Sequence, residues 1–329
     1  MAVSSSFLPS ARYDIIGDIH GHATPLRNLL EKLGYREADR SYQHPEGRKV
    51  LFLGDFIDRG PEVRNTLHLV RAMTEAGHAL AVMGNHEYNA VCFHTPDENG
   101  GYLRSRTSGD GQNEKQHRAT LDAFKGREDE WRDWLAWFKR LPFSLDLGGI
   151  RAVHATWSPK EVAFLSDKTL EDPAFLRASA EAGTPEFLAI ETLLKGVEAP
   201  LPKGYSFPDK QGIERTDIRV RWWERPTGKT YRQLVFPESP IVPDVPVPTR
   251  HEHTWNPYPV TDKPVFFGHY WLPPTSPLAP VSANAACLDY SVATAGGRLV
   301  AYRWDGETRL RENKFVQVPA QSPRALPAI

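Results

Sequence analysis

Three short apolar runs near the start of the chain end alike: each stops at a glycine and gives way to a polar cluster. Tyr13–Gly17 (YDIIG) is followed by Asp18, Ile19, His20, Gly21 and His22. Val50–Leu53 runs into Gly54, Asp55 and Asp58, and Ala79–Met83 into Gly84, Asn85, His86 and Glu87. Runs this short, bounded by turn residues, read as buried strands. Amphipathic helices fill the intervals. Thr24 and Pro25 are expected to cap and open the first, with Leu26, Leu29, Leu30 and Leu33 as its apolar stripe and Gly34 at its end. Pro61–Ala76 is expected to be the second, with Pro61 at its first position and Val63, Leu67, Val70 and Met73 facing inward. Strand–helix alternation argues for a parallel sheet with helices on its faces. Ligands bind along the carboxyl edge of such a sheet, where Asp18, His20, Asp55, Asp58, Asn85 and His86 would gather.

The pattern then changes. Glu98–Arg118 is polar and rich in Gly, Ser, Arg and Asn, and reads as a mobile surface loop. Its Arg104, Arg106, Lys115 and Arg118 suit either an anionic substrate or a solvated face. Leu121–Leu141 reads as one helix with Trp131, Trp134, Leu135 and Phe138 as a packing stripe. Gly148-Gly149, between Phe143–Leu147 and Ile150–His154, marks a two-residue hairpin. Pro159–Gly196 is helix-like. From Gly196 to Pro280 the chain holds 16 of its 28 prolines, a density that excludes long helices and central strands. An irregular, ordered cap is therefore expected over the site, within residues 158–262 of a single domain spanning 1–329. Arg219, Arg221 and Arg225 surround Trp222-Trp223. They suit either a second phosphate-gripping guanidinium, with Arg221 as the candidate, or a surface strand of alternating Arg. His251 and His253 are expected to be exposed. Val265–Phe267 is another apolar run, ending at Gly268-His269. Ala283–Asp289 and Leu299–Trp304 read as a closing pair of strands, and the tail from Val318 is expected to be poorly ordered.

The polar clusters carry the chemistry. A carboxylate aimed from a buried strand end is costly unless something compensates it. A metal would compensate Asp55; a cation or an imidazolium would compensate Asp58. Asp18 and His20, two residues apart, can face one side and offer oxygen and nitrogen to a divalent ion. Each cluster alone is equally explained by turn and capping duty. Three clusters, each at the end of an apolar strand, are much harder to explain that way.

Composition narrows the picture. The 329 residues include 40 Lys+Arg and 41 Asp+Glu, a net charge of -1, so no global basic field recruits nucleic acid or an anionic membrane. Two cysteines, Cys92 and Cys287, build no disulfide framework. A cytoplasmic setting is expected, with no signal peptide and no apolar run near the ~20 residues that span a bilayer.

The ordered set GDIHG (Gly17–Gly21), GDFIDRG (Gly54–Gly60), GNHE (Gly84–Glu87), VHA (Val153–Ala155) and GH (Gly268–His269) resembles the calcineurin-like metallophosphoesterase superfamily. Within it, the match is to bacterial members similar to phosphoprotein phosphatases and diadenosine tetraphosphatases. The resemblance implies an α/β fold of two mixed sheets packed as a sandwich and flanked by helices, rather than a doubly wound sheet. It also implies two divalent ions, with Mn favoured and Fe or Zn open. Asp18, His20 and Asp55 would hold one ion, and Asp55 would bridge to a second held by Asn85, His154 and His269. A hydroxide formed there would attack phosphorus, His86 would protonate the leaving oxygen with Asp58 orienting it, and Arg59 would grip the phosphoryl oxygens.

Ala-Thr after His154 and Tyr-Trp after His269 depart from related sequences. The latter suits the phosphatase branch better than the diesterase-like branches. The Pro-rich stretch matches no eukaryotic Ser/Thr phosphatase region, so protein-phosphatase specificity does not carry over. The expected activity is phosphomonoester hydrolysis, on a small phosphorylated substrate or a phosphoprotein. The alternative is hydrolysis of dinucleoside polyphosphates or cyclic nucleotides. A non-catalytic binding module on this fold would lack a ligand or His86, and neither is missing. The charge balance gives no support to nucleic-acid end processing, and oligomeric state is left open.

Overall fold

Tyr13–Ile16 (β1) is buried along its whole length, and it carries a carboxylate there. Asp14 is fully buried and is satisfied by Arg48 (2.9 Å to each oxygen), Arg303 Nε (3.0 Å) and the Tyr35 hydroxyl (3.0 Å). This network ties the first strand to the last part of the chain. A buried acid with so many charge-assisted donors is expensive to strip of a partner. The computed structural model describes residues 12–39, 41–106, 111–208, 214–248 and 255–320. His251, His253 and the end of the tail lie outside the described residues.

Ala23–Lys32 (α1) follows β1, then a hairpin of Arg36–Ala38 (β2) and Ser41–Gln43 (β3), then Lys49–Phe52 (β4). Val63–Glu75 (α2) leads to Ala79–Ala81 (β5), and Asn85–His94 (α3) leaves it. β1, β4 and β5 are parallel, in register Tyr13↔Lys49 and Val50↔Ala79. The expected inner faces are buried: Leu26, Leu29, Leu30 and Leu33 on one side, Val63, Leu67, Val70 and Met73 on the other.

The caps differ from expectation. α1 starts at Ala23 after His22, so Thr24 is not its N-cap; α2 starts at Val63, so Pro61 lies in the preceding turn. The reason is one cross-link. Thr24 donates from its N (2.8 Å) and Oγ1 (2.7 Å) to the Glu62 carboxylate, which locks the two helix entrances together.

Gln112–Ala123 (α4) and Glu128–Phe138 (α5) come next, broken at Gly126, whose φ of 71° no continuing helix holds. The last third of the expected loop Glu98–Arg118, from Gln112, is thus helical, and the expected single helix Leu121–Leu141 is two. Ser144–Asp146 (β6) and Arg151–Val153 (β7) form the hairpin around Gly148-Gly149. Pro159–Leu165 (α6), Pro173–Ala180 (α7) and Pro185–Lys195 (α8) each begin with proline at the first position.

Among the described residues the Pro-rich stretch contributes short pieces: Glu198–Pro200 (β8) pairs Asp217–Arg219 (β11), Phe207–Pro208 (β9) pairs Glu214–Arg215 (β10), and Tyr231–Leu234 (α9) is one turn. Val265–Phe267 (β12) and Ala285–Cys287 (β13) are parallel. Asp289–Tyr290 (β14), Arg298–Trp304 (β15) and Phe315–Pro319 (β16) complete the chain.

Two mixed sheets result, in orders β14-β15-β1-β4-β5, with β16 also on β15, and β13-β12-β7-β6. Phe266 of β12 meets Tyr302 of β15 with ring centroids 5.1 Å apart, inside one continuous apolar core. The segment Ala283–Asp289 does not simply pair with Leu299–Trp304. It hands the chain from one sheet to the other at Leu288. Val318 lies in β16 and is buried, so the ordered chain runs further than expected.

Candidate metal centre and phosphate site

The strand ends of both sheets open onto one place. β1 delivers Asp18 and His20, β4 delivers Asp55, Asp58 and Arg59, β5 leads to Asn85 and His86, β7 to His154, and β12 to His269. Asp18, His20, Asp55, Asp58, His86, His154 and His269 are all buried. The chain passes through this edge with six side-chain-bearing residues at positive φ: His20, Asp55, Asp58, Arg59, His269 and Trp271. Each such residue costs on the order of 1–3 kcal/mol, which persists only where the surroundings over-determine it.

The surroundings do so. Glu87, fully buried on the first turn of α3, accepts hydrogen bonds from the backbone N–H of Asp55 (2.8 Å), Phe56 (2.8 Å), Ile57 (3.4 Å) and Gly84 (3.1 Å). One carboxylate thus fixes the turn after β4 to the start of α3. Burial, and then the charge of Asp55, push its pKa up to about 7. The same junction needs Gly54: its φ is 91°, and a Cβ there would stand 2.4 Å from the Gly84 nitrogen. Gly268 is required by Asp18, whose oxygen would lie 1.9 Å from an added Cβ.

Hydrogen bonds decide which imidazole nitrogens are free. His20 Nδ1 is 3.0 Å from the Ile57 carbonyl and His154 Nδ1 is 2.7 Å from the Leu53 carbonyl. A carbonyl only accepts, so both Nδ1 atoms carry hydrogen. In the neutral imidazoles both Nε2 atoms then present lone pairs. His20 Nε2 is buried without a hydrogen-bond partner, 3.6 Å from Asp55 Oδ2. His154 Nε2 faces Asp55 Oδ1 (3.4 Å) and Asn85 Oδ1 (3.0 Å), and Asn85 Oδ1 also faces His269 Nδ1 (2.8 Å). Lone pairs converging on lone pairs are unfavourable without a cation between them.

The titration directions agree at His20, His269 and Asp18 and part at His154, where burial is outweighed by Asp55 and then Asp18, which lift the pKa to about 10. Burial, then the charge of Arg59, hold His20 well below the usual imidazole range; burial and Arg219 do the same for His269. Burial, together with Asp289 and Asp55, lifts Asp18 well above the usual carboxylate range. Neutral imidazoles beside crowded acids are the donor set that divalent ions of intermediate softness take. Two groups of donor atoms, each within 4.8 Å, share Asp55: Asp18, Asp55 and His154 in one, His20, Asp55 and His86 in the other.

His86 stands at the rim of this cluster. Its Nδ1 is 2.5 Å from Asp58 Oδ2, and its Nε2 is 3.9 Å from Asp55 Oδ2. Burial opposes its charged form, but Asp55 and the bond to Asp58 outweigh burial and raise its pKa. The other Asp58 oxygen is held by His117 Nδ1 (2.8 Å) and Thr120 Oγ1 (2.5 Å) from α4. Burial would raise Asp58, yet the bonds from His117 and His86 bring its pKa well below the carboxylate norm. Arg59 lies over the Trp271 ring, 3.8 Å from its centroid. Asp289, buried behind them, accepts from Trp271 N (2.7 Å) and Ser291 N (2.9 Å).

A cleft of roughly 1330 Å³ leads to the cluster, with Asp55, Arg59, Asn85, His86 and His269 at its floor. Its far wall comes from the expected cap region, including Arg215, Arg219, Trp222, Phe236 and Trp255. Arg221 is not on that wall. Its guanidinium is engaged by Glu238 (2.7 Å) and Glu224 (3.5 Å), and Arg219 stands in the lining instead. Of the four cations of the expected loop, Arg104 reaches the cleft; Arg106 covers Tyr102 and Phe93, and Arg118 pairs with Glu114 and Asp122.

A mixed α/β sandwich with this edge of carboxylates and imidazoles defines a phosphate-ester hydrolase. The family model for calcineurin-like phosphoesterases matches residues 11–189, and the chain belongs to that family. Among curated proteins, asymmetrical bis(5'-nucleosyl)-tetraphosphatase PrpE of Halalkalibacterium halodurans is 45% identical over 75 residues, 23% of this chain and 30% of that protein. Its counterpart from Oceanobacillus iheyensis is 41% identical over 75 residues, with the same two coverages. The match therefore spans less than a third of these relatives' length. A serine/threonine phosphatase structure from Saccharomyces cerevisiae aligns over 97% of this chain and 83% of its own, with 14% identity and a TM-score of 0.47. A cold-active protein-tyrosine phosphatase from a Shewanella species aligns over 90% and 79%, with 17% identity and a TM-score of 0.45.

Proposed function

We propose that the protein is a dinuclear-metal-dependent hydrolase of small phosphorylated substrates, with phosphomonoester hydrolysis as its simplest reaction. The observation that carries this reading is the pair of donor groups that share Asp55, one with Asp18 and His154 and the other with His20 and His86, beside the partnerless Nε2 atoms of His20 and His269. Asp18, His20 and Asp55 would hold one divalent ion, and Asp55, Asn85, His154 and His269 the other. Mn is the favoured metal, with Fe and Zn accepted by the same donors. Such a pair supplies Lewis acidity toward phosphoryl oxygens and makes water a usable nucleophile near neutral pH.

The chain's own groups then do the following. Arg59, braced on Trp271, offers a planar fork to the non-bridging oxygens, and Arg219 approaches from the opposite wall. His86 keeps its Nδ1 hydrogen on Asp58, so in the charged form its Nε2–H is the proton available to the leaving oxygen. Asp58, pinned by His117 and Thr120, stays ionised and holds the imidazole in that orientation. The cap region, 158–262, belongs with the catalytic half in a single domain and shapes the approach. Two buried free thiols, Cys92 and Cys287, support a reducing, cytoplasmic setting.

A second reading, dinucleoside polyphosphate hydrolysis, is favoured by the aromatic lining of the long cleft and by the activity in the PrpE relatives' name. The test is a panel of aryl phosphate, phosphopeptide, diadenosine tetraphosphate and cyclic nucleotides with Mn-loaded protein, beside Asp55→Asn. Hydrolysis of at least one substrate, lost in Asp55→Asn, supports the reading. No hydrolysis at full metal occupancy returns the protein to the non-catalytic alternative.

A further inference from the structure

The floor of the cleft holds a cation that the reaction at the metal cluster does not use. Arg104 sits on the segment after α3, half-buried, and lines a narrow recess together with Asp58, His86, Asn89, Gln116 and His117. It also lines the main cleft. Its side-chain hydrogen bonds among the described residues go to two neutral amide oxygens, Asn89 Oδ1 (3.2 Å) and Gln116 Oε1 (3.2 Å). These orient the guanidinium without neutralising it. The contrast with its neighbours is plain: Arg106 lies over rings, Arg118 has carboxylates, and Arg221 has two.

The position matters as much as the charge. Asn89 is three residues beyond His86 on α3, so the two lie on one helix face, about 5–6 Å apart at Cβ. Gln116 is next to His117, which holds Asp58, which in turn holds His86. Arg104 is therefore oriented by the same two helices that set the proposed proton donor, and it stands on that donor's side of the reacting centre. His86 and Arg104 line both the recess and the main cleft, so a leaving group that meets His86 does so on a surface that Arg104 shares.

We infer that Arg104, held by Asn89 and Gln116, is a leaving-group subsite for a second phosphoryl group, so that the enzyme favours phosphoanhydrides or substrates with a phosphoryl next to the one cleaved. The inference rests on the proposed hydrolase reading and narrows its substrate class. The step balances as hydrolysis: water's oxygen bonds to phosphorus, the bridging P–O bond breaks, and its electron pair stays on the departing phosphoryl oxygen. Arg104 meets the charge that gathers there, and the released protons go to the leaving oxygen and to solvent. With an aryl or alkyl leaving group, Arg104 has no second phosphoryl group to meet, only the charge on a single oxygen.

The test compares Mn-loaded wild type with Arg104→Gln and Arg104→Lys on diadenosine tetraphosphate and on an aryl phosphate. Arg104→Gln should lower kcat/KM on the polyphosphate about 10- to 100-fold, the usual worth of a charge-assisted hydrogen bond. The loss on the aryl phosphate should be at least about tenfold smaller, and Arg104→Lys should recover part of the difference. A binding arm uses imidodiphosphate against inorganic phosphate by titration calorimetry on the same Mn-loaded proteins. Arg104→Gln should weaken imidodiphosphate selectively. Equal losses for both substrates and both anions, or none for the polyphosphate and imidodiphosphate, would overturn the subsite. Loss of all hydrolysis in wild type with selective imidodiphosphate binding intact would overturn the hydrolase reading and leave the subsite standing.

Discussion

The two walls of the cleft are built on opposite principles. The catalytic wall rises from strand ends in two sheets, and its side chains are pinned by groups that are themselves buried. Glu87 alone takes four backbone donors, and Asp58 is held from both oxygens. Among the described residues the cap wall combines parts of α6 and α8 with strands two or three residues long, one helical turn and proline-rich connections, and its charged groups pair with near neighbours. The first wall accepts backbone strain to fix a few atoms. The second accepts little strain at its rim and presents area. On the proposed reading, reaction chemistry would belong to the first and substrate choice to the second, with Arg104 the exception that would carry choice into the first wall.

That division can be broken in graded steps. His86→Ala should cost most, about 10²- to 10⁴-fold in kcat on a substrate with a poor leaving group, and much less on an aryl phosphate with a good one. Steady-state kinetics on both substrates would show it; full activity on the poor leaving group would remove His86 as the acid. Glu87→Ala should come next. It strands buried backbone N–H groups, so unfolding in urea should lose on the order of 3 kcal/mol, with activity falling as the turn after β4 loosens.

The pH profile sharpens the same point. The proposed mechanism requires the acid form of His86, and its pKa is raised, burial being outweighed by Asp55 and Asp58. Activity should therefore persist through neutral pH and fall as pH rises through that raised value. Asp58→Asn removes the ionised partner, so the falling limb should move to lower pH. A limb that stays in place would separate Asp58 from His86. The smallest effect belongs to the cap: Arg219→Gln should raise KM by about tenfold or less with kcat nearly constant, because it meets the substrate without touching the reacting atoms.

The legibility of the molecule follows the same division. β1 and β4 each run into a glycine and an acid, and β5 into a glycine and Asn85, so Asp18, Asp55 and Asn85 could be placed at the site's edge from the pattern alone. His154 and His269 needed the resemblance, since a lone histidine after a short strand carries little signal. The supports were harder. Glu87 is one residue from His86 and looks like helix composition, yet its carboxylate turns back to the turn after β4. His117 and Thr120 were hidden because their stretch is polar, and polarity masked the helix that packs a single face on Asp58. Arg221 and Arg219 could not be separated by alternation: the strand β11 ends at Arg219, and beyond it the chain turns, so side-chain direction no longer follows sequence parity. Caps at Thr24 and Pro61 failed for a related reason, since a tertiary bond to Glu62 outweighed local preference.

If Asp55 serves two ions at once, metal stoichiometry and electron paramagnetic resonance on Mn-loaded wild type and Asp55→Asn will show it. Two Mn per chain with an exchange-coupled signal are expected in wild type, and loss of that coupling in Asp55→Asn. A single ion per chain, or two that are uncoupled in wild type, would contradict the shared role of Asp55.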